Sequence, residues 1–460
     1  MNKKTFLPWL LFLLIIEAVL IFLFVPAINV FSLNFWFFHV FPAILWFWFA
    51  SSSGSKLHTV ASVLLVTFLA LFVFFGGIHL VSDIDSSKSH SQIAKINNNG
   101  VFDNSVIEVN SPGEIPTIDK EAAITIASNL INSNQQYFET YRLGTECNLI
   151  YYKEDYYRII PLEYIDPLNF GGVPGYILVN ISNGEANFVK LEKDNAIRYS
   201  PSSILSKDLS RYIRFYYPTE IFGDENFEID DNGHPYYIVP TLKLKSAFWG
   251  SHYVYGALVV DAVTGDIQKY SLENIPEWIE NVYDVDRLMT EASWHLAYVN
   301  GSPNWYTSAT DSKPTTRYHN SSEYYLFGKD GEILIYTGVT IGSSNMNNIS
   351  FLLGNLRTGE LTYYSDYGIS EDNAQNAAIN LFPENQYVPS RVLLLNIEGN
   401  PVYYLTLKNH LDNPEQFAFA NKNKPSVFCV TGETVDEALR NYYDMIGKKY
   451  PYSIEYDEND

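Results

Sequence analysis

Motifs that identify enzymes and metal sites are missing from this 460-residue sequence. It has no HExxH, CxxC, GxSxG, Walker loop or GxGxxG, and no two of its nine histidines have zinc-ligand spacing. Cysteine is scarce too. Cys147 and Cys429 each lie in an apolar, strand-like run, which favours free thiols over a disulfide. The sequence therefore predicts no catalytic residue, no cofactor and no metal ligand.

Charged residues are nearly absent from the first 80 positions, which hold three lysines, one glutamate and no aspartate or arginine. The apolar runs there approach the roughly 20 residues that a membrane-spanning helix needs. They predict a transmembrane segment, 1–81, with spans at about residues 6–27, 34–50 and 58–80. A cleaved signal peptide fits the first run poorly, because its apolar core is long and two more runs follow. The short middle run contains Pro42, so a re-entrant hairpin is its alternative interpretation.

The few basic residues of this segment predict its orientation. Lys3 and Lys4 precede the first run, and Lys56 lies between the second and third. Lysine and arginine concentrate on the cytoplasmic side of membranes. The expected location is thus the plasma membrane, crossed several times, with the bilayer contacted through three spans. The N-terminus would be cytoplasmic and residues 82–460 extracytoplasmic.

Two polar residues interrupt the predicted spans. Glu17 lies in the middle of the first run, and His39 is the nearest candidate partner by sequence. An ionised carboxylate at bilayer depth is costly, and such residues are usually paired or functional. A protonated glutamate that forms a hydrogen bond within the three-helix bundle is the alternative. The sequence favours neither interpretation.

The rest of the chain is strongly acidic. The whole sequence has a net charge of −22 and residues 1–80 contribute +2, so residues 81–460 carry −24. This charge argues against nucleic acid as a partner and is compatible with a cationic one. All 35 tyrosines lie in this part as well. Half-buried strands favour tyrosine, while exposed Tyr and Trp faces would suit a polysaccharide.

A repeated unit organises the acidic part. Residues 82–115 are rich in serine and asparagine and predict a linker. Each unit beyond it combines a helix with β-hairpins. The predicted units are module 1 (116–195), module 2 (196–275), module 3 (276–368) and module 4 (369–447), before an acidic tail (448–460). Helices are predicted over 118–131, 206–218, 276–301, 370–383 and 434–447.

A six-residue pattern, Asn/Asp-x-x-Thr/Asn-Gly-Asp/Glu, recurs in the first three units. It predicts a hairpin turn whose first side chain accepts hydrogen bonds from turn amides and whose glycine has a positive φ. The residues with these roles are Asn180 and Gly184, Asp261 and Gly265, and Asn355 and Gly359. A calcium site is the alternative, but calcium needs six or more oxygens and one turn offers two or three.

The stretch "YGALVVDAVTGDIQKYSL" (255–272), which follows a helix and hairpins, resembles the PepSY family. The acidic region, through "GVPGYILVN" (172–180) and residues 211–239, also resembles uncharacterised multi-module membrane proteins of Gram-positive bacteria. PepSY domains are similar to protease propeptides and sensor-like modules. The resemblance therefore implies binding or inhibition, without chemistry.

The expected fold class is α+β, with an N-terminal three-helix transmembrane segment and an ectodomain of about four helix-plus-antiparallel-hairpin, PepSY-like modules. The expected function is non-catalytic binding, sensing or regulation at the bacterial cell envelope, with an envelope protein or peptide as partner. A cell-wall or polysaccharide binder that uses exposed Tyr and Trp is the first alternative. An envelope hydrolase with an unrecognised carboxylate pair is the second. With 52 acidic residues, the sequence singles out no particular pair.

Overall fold

Strands predominate in the computed structural model of this chain. It describes residues 3–29, 95–103, 106–133, 139–166, 171–244, 252–298, 316–318, 324–341 and 347–452, with isolated positions between 31 and 71. In this part, 22 strands form four sheets and six α-helices accompany them. The helices are α1 (Lys3–Phe24), α2 (Lys120–Asn132), α3 (Leu209–Tyr216), α4 (Val285–Tyr298), α5 (Glu371–Ile379) and α6 (Val435–Met445).

Each sheet is formed by strands that are consecutive in the sequence. The exception is β1 (Lys95–Gly100), which belongs to the third sheet. The first sheet contains β2 (Tyr141–Leu143), β3 (Asn148–Tyr152), β4 (Asp155–Tyr164), β5 (Gly175–Asn180) and β6 (Ala186–Lys190). The second contains β7 (Ile221–Phe222), β8 (Asn226–Ile229), β9 (Pro235–Leu244), β10 (His252–Asp261) and β11 (Ile267–Ser271). The third adds β12 (Thr316–Tyr318), β13 (Tyr325–Lys329), β14 (Glu332–Ile341), β15 (Asn347–Asn355), β16 (Glu360–Tyr364) and β17 (Gly368–Ile369). The fourth contains β18 (Val388–Pro389), β19 (Leu393–Ile397), β20 (Asn400–Lys408), β21 (Pro414–Asn421) and β22 (Cys429–Gly432).

All four sheets share one antiparallel strand order. Two short strands follow one another along one edge of a long strand, and a second long strand pairs with its other edge. The paired long strands are β4 and β5, β9 and β10, β14 and β15, and β20 and β21. A further strand, β6, β11, β16 or β22, completes each sheet.

Short hairpins set the register of the long strands. The β3–β4 turn has positive φ at Lys153 and Glu154, and the β13–β14 turn has it at Asp330 and Gly331. Two consecutive residues of this kind form the turn whose twist matches that of antiparallel strands. Because the turn fixes the pairing, it also decides which side chains of the inner strand face the core.

A repeated set of backbone hydrogen bonds closes each unit. In each unit, one asparagine or aspartate begins the turn: Asn180, Asp261, Asn355 or Asn421. The carbonyl of the next residue accepts from an amide just before the helix or helical segment of the same unit. The accepting residues are Ile181, Ala262, Leu356 and Lys422, and the donors nearest the helix are Ile118, Tyr199, Tyr283 and Ile369. The same four accepting residues donate their own amides to the inner strand, at Tyr156, Pro235, Ile333 and Pro401. We call this arrangement the clasp.

The clasp explains why one predicted helix starts late. A helix was expected from residue 276, with Pro276 at its first position, but α4 begins at Val285. The amides of Val282 and Tyr283 donate to the Leu356 carbonyl at 3.1 and 2.8 Å. Residues 276–284 therefore remain non-helical, because two of their amides bond to the turn after β15. These tertiary hydrogen bonds outweigh the local helix propensity.

Part of the segment predicted as a linker is a strand. Residues 95–100 form β1, which pairs with β16 in parallel, Lys95 opposite Glu360. This pairing joins positions 265 residues apart in the sequence, and no local pattern marks it.

The expected fold class is wrong in two respects, the proportion of helix to strand and the N-terminal helical membrane segment. The described chain is dominated by four β-sheets, whereas a helical membrane segment and helix-plus-hairpin modules were expected. Each sheet has five or more strands because short edge strands join each hairpin. Sequence periodicity overlooks strands of two to four residues, since so few positions show no alternation.

The predicted transmembrane segment is also wrong. Within the residues that the structure describes, no helix is both long and apolar enough to cross a membrane. The multi-pass plasma-membrane location is corrected with it.

The end of α1 contacts α3. At the end of α1, the carbonyl of Phe22 accepts from Arg211 Nη1 of α3 at 2.7 Å. Glu17 lies in α1, but its side chain is outside the described residues, as are His39 and most of the second and third predicted spans.

Candidate functional site

The three recurring turns form the bends between long and outer strands in the first three sheets. In each, the first side chain accepts from the amides two and three residues later. The acceptors, with both distances, are Asn180 (2.8 and 3.1 Å), Asp261 (2.8 and 2.9 Å) and Asn355 (2.8 and 3.0 Å). The glycines Gly184, Gly265 and Gly359 have φ values of 73°, 84° and 69°.

Each of these turn residues also contacts the start of its inner strand. Asn180 Nδ2 donates to Asp155 Oδ2 at 2.5 Å, and Asn355 Nδ2 donates to Glu332 Oε2 at 3.0 Å. Asp261 Oδ1 lies 3.0 Å from His234 Nε2. The side-chain oxygens of the three turn residues, and the groups they contact on the inner strands, are thus already engaged within the hairpins. Among the described residues, no group of three or more His, Cys, Asp or Glu is placed to hold a metal ion.

A cleft of about 600 Å³ lies where the first, third and fourth sheets meet. Its walls are the β3–β4 and β13–β14 hairpin tips, β19, and the chain segment 107–116. We call it the acidic cleft, after five carboxylate residues in its lining: Glu108, Glu114, Glu154, Asp155 and Asp330.

The two hairpin tips of the acidic cleft are locked together. Tyr156 Oη accepts from the Gly331 amide at 2.9 Å. The Tyr156 ring also packs on Gly328, where an added Cβ would lie 2.1 Å from ring atoms. Burial raises the pKa of the Tyr156 hydroxyl to about 12, so it stays protonated at neutral pH. The tips therefore form a preset wall.

The opposite wall is held by the fourth sheet. The Asn396 amide of β19 donates to the Ile107 carbonyl at 2.9 Å, and its side chain donates to the Asp103 carbonyl at 2.6 Å. Tyr404 Oη of β20 donates to the Pro116 carbonyl at 2.9 Å. Segment 107–116 is therefore attached at both ends, and it places Glu108 and Glu114 opposite the hairpin tips.

The lining of the acidic cleft is strongly negative, with one basic residue, Lys329, against five acidic ones. Asp155 is engaged, since it accepts from the Tyr156 amide and from Asn180. Glu108, Glu154 and Asp330 are exposed, and none of them forms an ion pair within the described chain. The cleft therefore presents unneutralised carboxylates to solvent.

Aromatic side chains border these carboxylates. Tyr151 is 37% exposed, and its ring centroid lies 5.0 Å from that of Tyr156. Tyrosine faces attract cations, and carboxylates pair with lysine and arginine. Chemically, the site is suited to cationic groups on a chain that also offers apolar surface.

Two other acidic residues lie close together but are inaccessible. Glu228 is fully buried and Glu280 is 3% exposed. Glu228 accepts from the amides of Asn281 at 2.6 Å and Glu280 at 3.1 Å. Burial raises the pKa of both carboxyl groups, and the neighbouring charge raises it further in Glu280. The pair has no path to a substrate, so its position is structural.

The thiols are also unsuited to chemistry. Cys147 is buried and Cys429 is half-buried, and both are free. Burial raises the pKa of Cys147 and raises that of Cys429 to about 12. The reactive thiolate is therefore disfavoured at both positions.

Eleven of the 35 tyrosines are buried in the described chain. Seven are essentially inaccessible: Tyr176, Tyr237, Tyr336, Tyr403, Tyr404, Tyr442 and Tyr443. The more exposed Tyr151, Tyr216 and Tyr367 lie on β3, on α3 and next to β17. They lie in three different units.

Sequence reasoning missed the acidic cleft. The Asp-Gly pair of "GKDG" (328–331) is typical of a hairpin turn, yet nothing local shows that it lies beside Glu154 and Glu108. No family model matches the chain, and comparison with curated proteins finds no match either. The candidate site therefore depends on its own geometry and charge.

Proposed function

We propose that this protein is a non-catalytic binding protein whose acidic cleft takes a basic segment of a protein or peptide. The observation that carries the proposal is the convergence of five carboxylates and two tyrosines in a cleft of about 600 Å³. The walls are fixed by backbone and tyrosine hydrogen bonds, so little ordering is needed on binding. Lysine and arginine side chains fit both the charge and the aromatic faces.

The resemblance to PepSY modules belongs to this proposal. Four units with one strand order and one clasp support the interpretation that modules 1 to 4 are copies of one unit. A binding or inhibitory role is what the resemblance implies. In this arrangement the ligand site lies between units, so each single module contributes only part of it.

The test is a calorimetric titration of the purified full chain with a short peptide rich in lysine and arginine. We expect saturable binding that weakens as salt is raised, because exposed charges are screened. The double variant Glu154→Gln/Asp330→Asn should bind the peptide about tenfold more weakly, because it loses two partly exposed ion pairs with the peptide. Asparagine tolerates the positive φ of Asp330, so the turn is preserved.

Glu384→Gln is the matched control, because Glu384 is exposed and lies outside the acidic cleft. It should leave the affinity unchanged. An equal loss in the control and the double variant would mean that only overall charge matters. Binding of a neutral oligosaccharide in preference to the peptide would also contradict the proposal.

A further inference from the structure

A second, smaller cavity of opposite character lies beside the acidic cleft. Its volume is about 160 Å³, and it is bordered by the start of α2, by β4, by the start of β13 and by the chain before β19. Its lining residues are Asp119, Lys120, Glu121, Arg158, Tyr324, Tyr325, Leu326 and Arg391. A cavity of this size holds one small molecule, since about 150 Å³ accommodates benzene.

Arg158 is the unusual residue of this cavity. It is only 6% exposed, yet it forms no ion pair with a carboxylate within the described chain. Nη1 donates to the Cys147 carbonyl at 3.3 Å, while the buried Nε has no hydrogen-bond partner. A guanidinium cannot give up its proton at physiological pH. Burying it without an anion is unfavourable, so its environment is incomplete.

A second guanidinium borders the same space. Arg391 is half-buried, its Nη1 donates to the Tyr324 carbonyl at 3.5 Å, and its centre lies 4.8 Å from the Tyr324 ring centroid. These contacts fix the position of Arg391 but leave its charge unneutralised by any described carboxylate. Two arginines from separate units therefore meet at one cavity.

The acidic residues at the cavity are largely engaged or exposed. Asp119 caps α2 by accepting from the Ala122 amide at 2.9 Å, and its other oxygen lies 2.6 Å from Lys408 Nζ. Glu121 is exposed in the first turn of α2. With Lys120 beside it, the lining carries more positive than negative charge. The N-terminal end of a helix adds partial positive charge and free amides.

We propose that this cavity binds one small oxyanion, a carboxylate or a phosphate, between Arg158 and Arg391. The planar fork of each guanidinium offers paired donors that match oxyanion geometry. The anion would complete the hydrogen bonding of Arg158 and tie β4 of the first sheet to the chain before β19 of the fourth. This site is independent of the acidic cleft, because its ligand has the opposite charge.

The experiment measures the melting temperature of the purified full chain in phosphate, in acetate and in chloride at equal ionic strength. A ligand that binds the folded state stabilises it by mass action. We expect a saturable rise with phosphate or acetate over chloride, and the tighter of the two identifies the oxyanion class. The rise should be lost in Arg391→Gln and in Arg158→Gln, and kept in Arg440→Gln, which alters an exposed arginine on α6.

Each outcome decides the question. No rise over chloride with either anion, or the same rise in Arg391→Gln as in the unaltered protein, overturns the proposal. If Arg158→Gln does not fold, Arg391→Gln alone decides the test, because Arg391 is only half-buried and its replacement is better tolerated. A rise that is lost in Arg440→Gln as well indicates general charge screening and also overturns it.

Discussion

At Gly265, backbone conformation and packing act on the same residue. Its φ is 84°, a region that costs other residues about 1–2 kcal/mol. An added Cβ would lie 2.4 Å from the Tyr199 ring, and the Gly265 carbonyl accepts from Tyr212 Oη at 2.8 Å. The glycine therefore lets the turn lie directly on the segment before α3.

Gly265→Ala should lower the free energy of unfolding by about 2–4 kcal/mol, from backbone strain and overpacking together. Gly447→Ala is the control, because Gly447 has a φ of 71° but nothing within 4 Å of the added Cβ. It should cost about 1–2 kcal/mol, from strain alone. Denaturant titrations of both variants measure the difference. Equal losses would show that the contact with Tyr199 contributes nothing.

Glu228 and Glu280 make stability depend on pH. Burial raises the pKa of both above the ordinary value of 4.5, so the folded state binds their protons more tightly than the unfolded state. The stability from these protons is fully present below about pH 4.5 and is lost as pH rises through the folded pKa values. Burial raises the pKa of Glu291 and Glu146 to about 7, which adds to the same trend.

The melting temperature should therefore fall from about pH 4.5 to about pH 7, where Glu228, Glu146 and Glu291 titrate, and continue to fall towards about pH 10, where Glu280 titrates. Glu228→Gln keeps an acceptor for the Asn281 amide and removes one titrating group and its charge near Glu280, so its melting temperature should fall less. Glu384→Gln, at an exposed position, should show the same fall as the unaltered protein. A pH dependence unchanged in Glu228→Gln would exclude this pair as its source.

At the scale of elements, helix caps show which contacts join the units. Asp119 caps α2 and also contacts Lys408 of β20, whose side chain is only 4% exposed. Asp208 caps α3 by accepting from the Arg211 amide at 2.7 Å, and within the described residues it has no ion pair of this kind. The two caps are alike locally, but only Asp119 ties one sheet's helix to another sheet.

Asp119→Asn should cost about 1–3 kcal/mol, because asparagine keeps the cap but leaves the Lys408 ammonium with the exposed Asp412 alone. Asp208→Asn should cost less than about 0.5 kcal/mol, since Asp and Asn cap equally well. Thermal or denaturant unfolding of both variants gives the comparison. A similar cost for the two would mean that the buried contact adds no stability.

Elements that depend on nearby residues were accessible to sequence reasoning. The roles of Asn180 and Gly184 follow from residues only four positions apart, because the turn forms its hydrogen bonds within itself. The late start of α4 and the pairing of β1 were not accessible. Both depend on partners far along the chain, Leu356 and β16, that no local pattern identifies.

At the scale of the whole molecule, hydrophobic cores cross from sheet to sheet. One core combines residues of the first and second sheets, a second those of the second and third, and a third those of the third and fourth. Leu149 of β3, fully buried, packs with the core of the second and third sheets. The sheets are therefore mutually supported, and surfaces between them, such as the acidic cleft, are defined by the whole fold.

This sharing of cores also explains why the site was not found from sequence. Glu108, Glu154 and Asp330 are each ordinary surface acids in their own segment. Their convergence requires three sheets to be packed first.

Hydrogen exchange of the full chain, with and without the lysine- and arginine-rich peptide, tests the binding proposal most directly. Bound peptide should slow exchange at the walls of the acidic cleft, in residues 107–110, 151–156 and 328–331, and leave the clasp turn at 261–266 unchanged. The effect should disappear in Glu154→Gln/Asp330→Asn at the same peptide concentration. Slowed exchange away from these three segments, or unchanged exchange at all of them under saturating peptide, would contradict the assignment of the acidic cleft as the binding site.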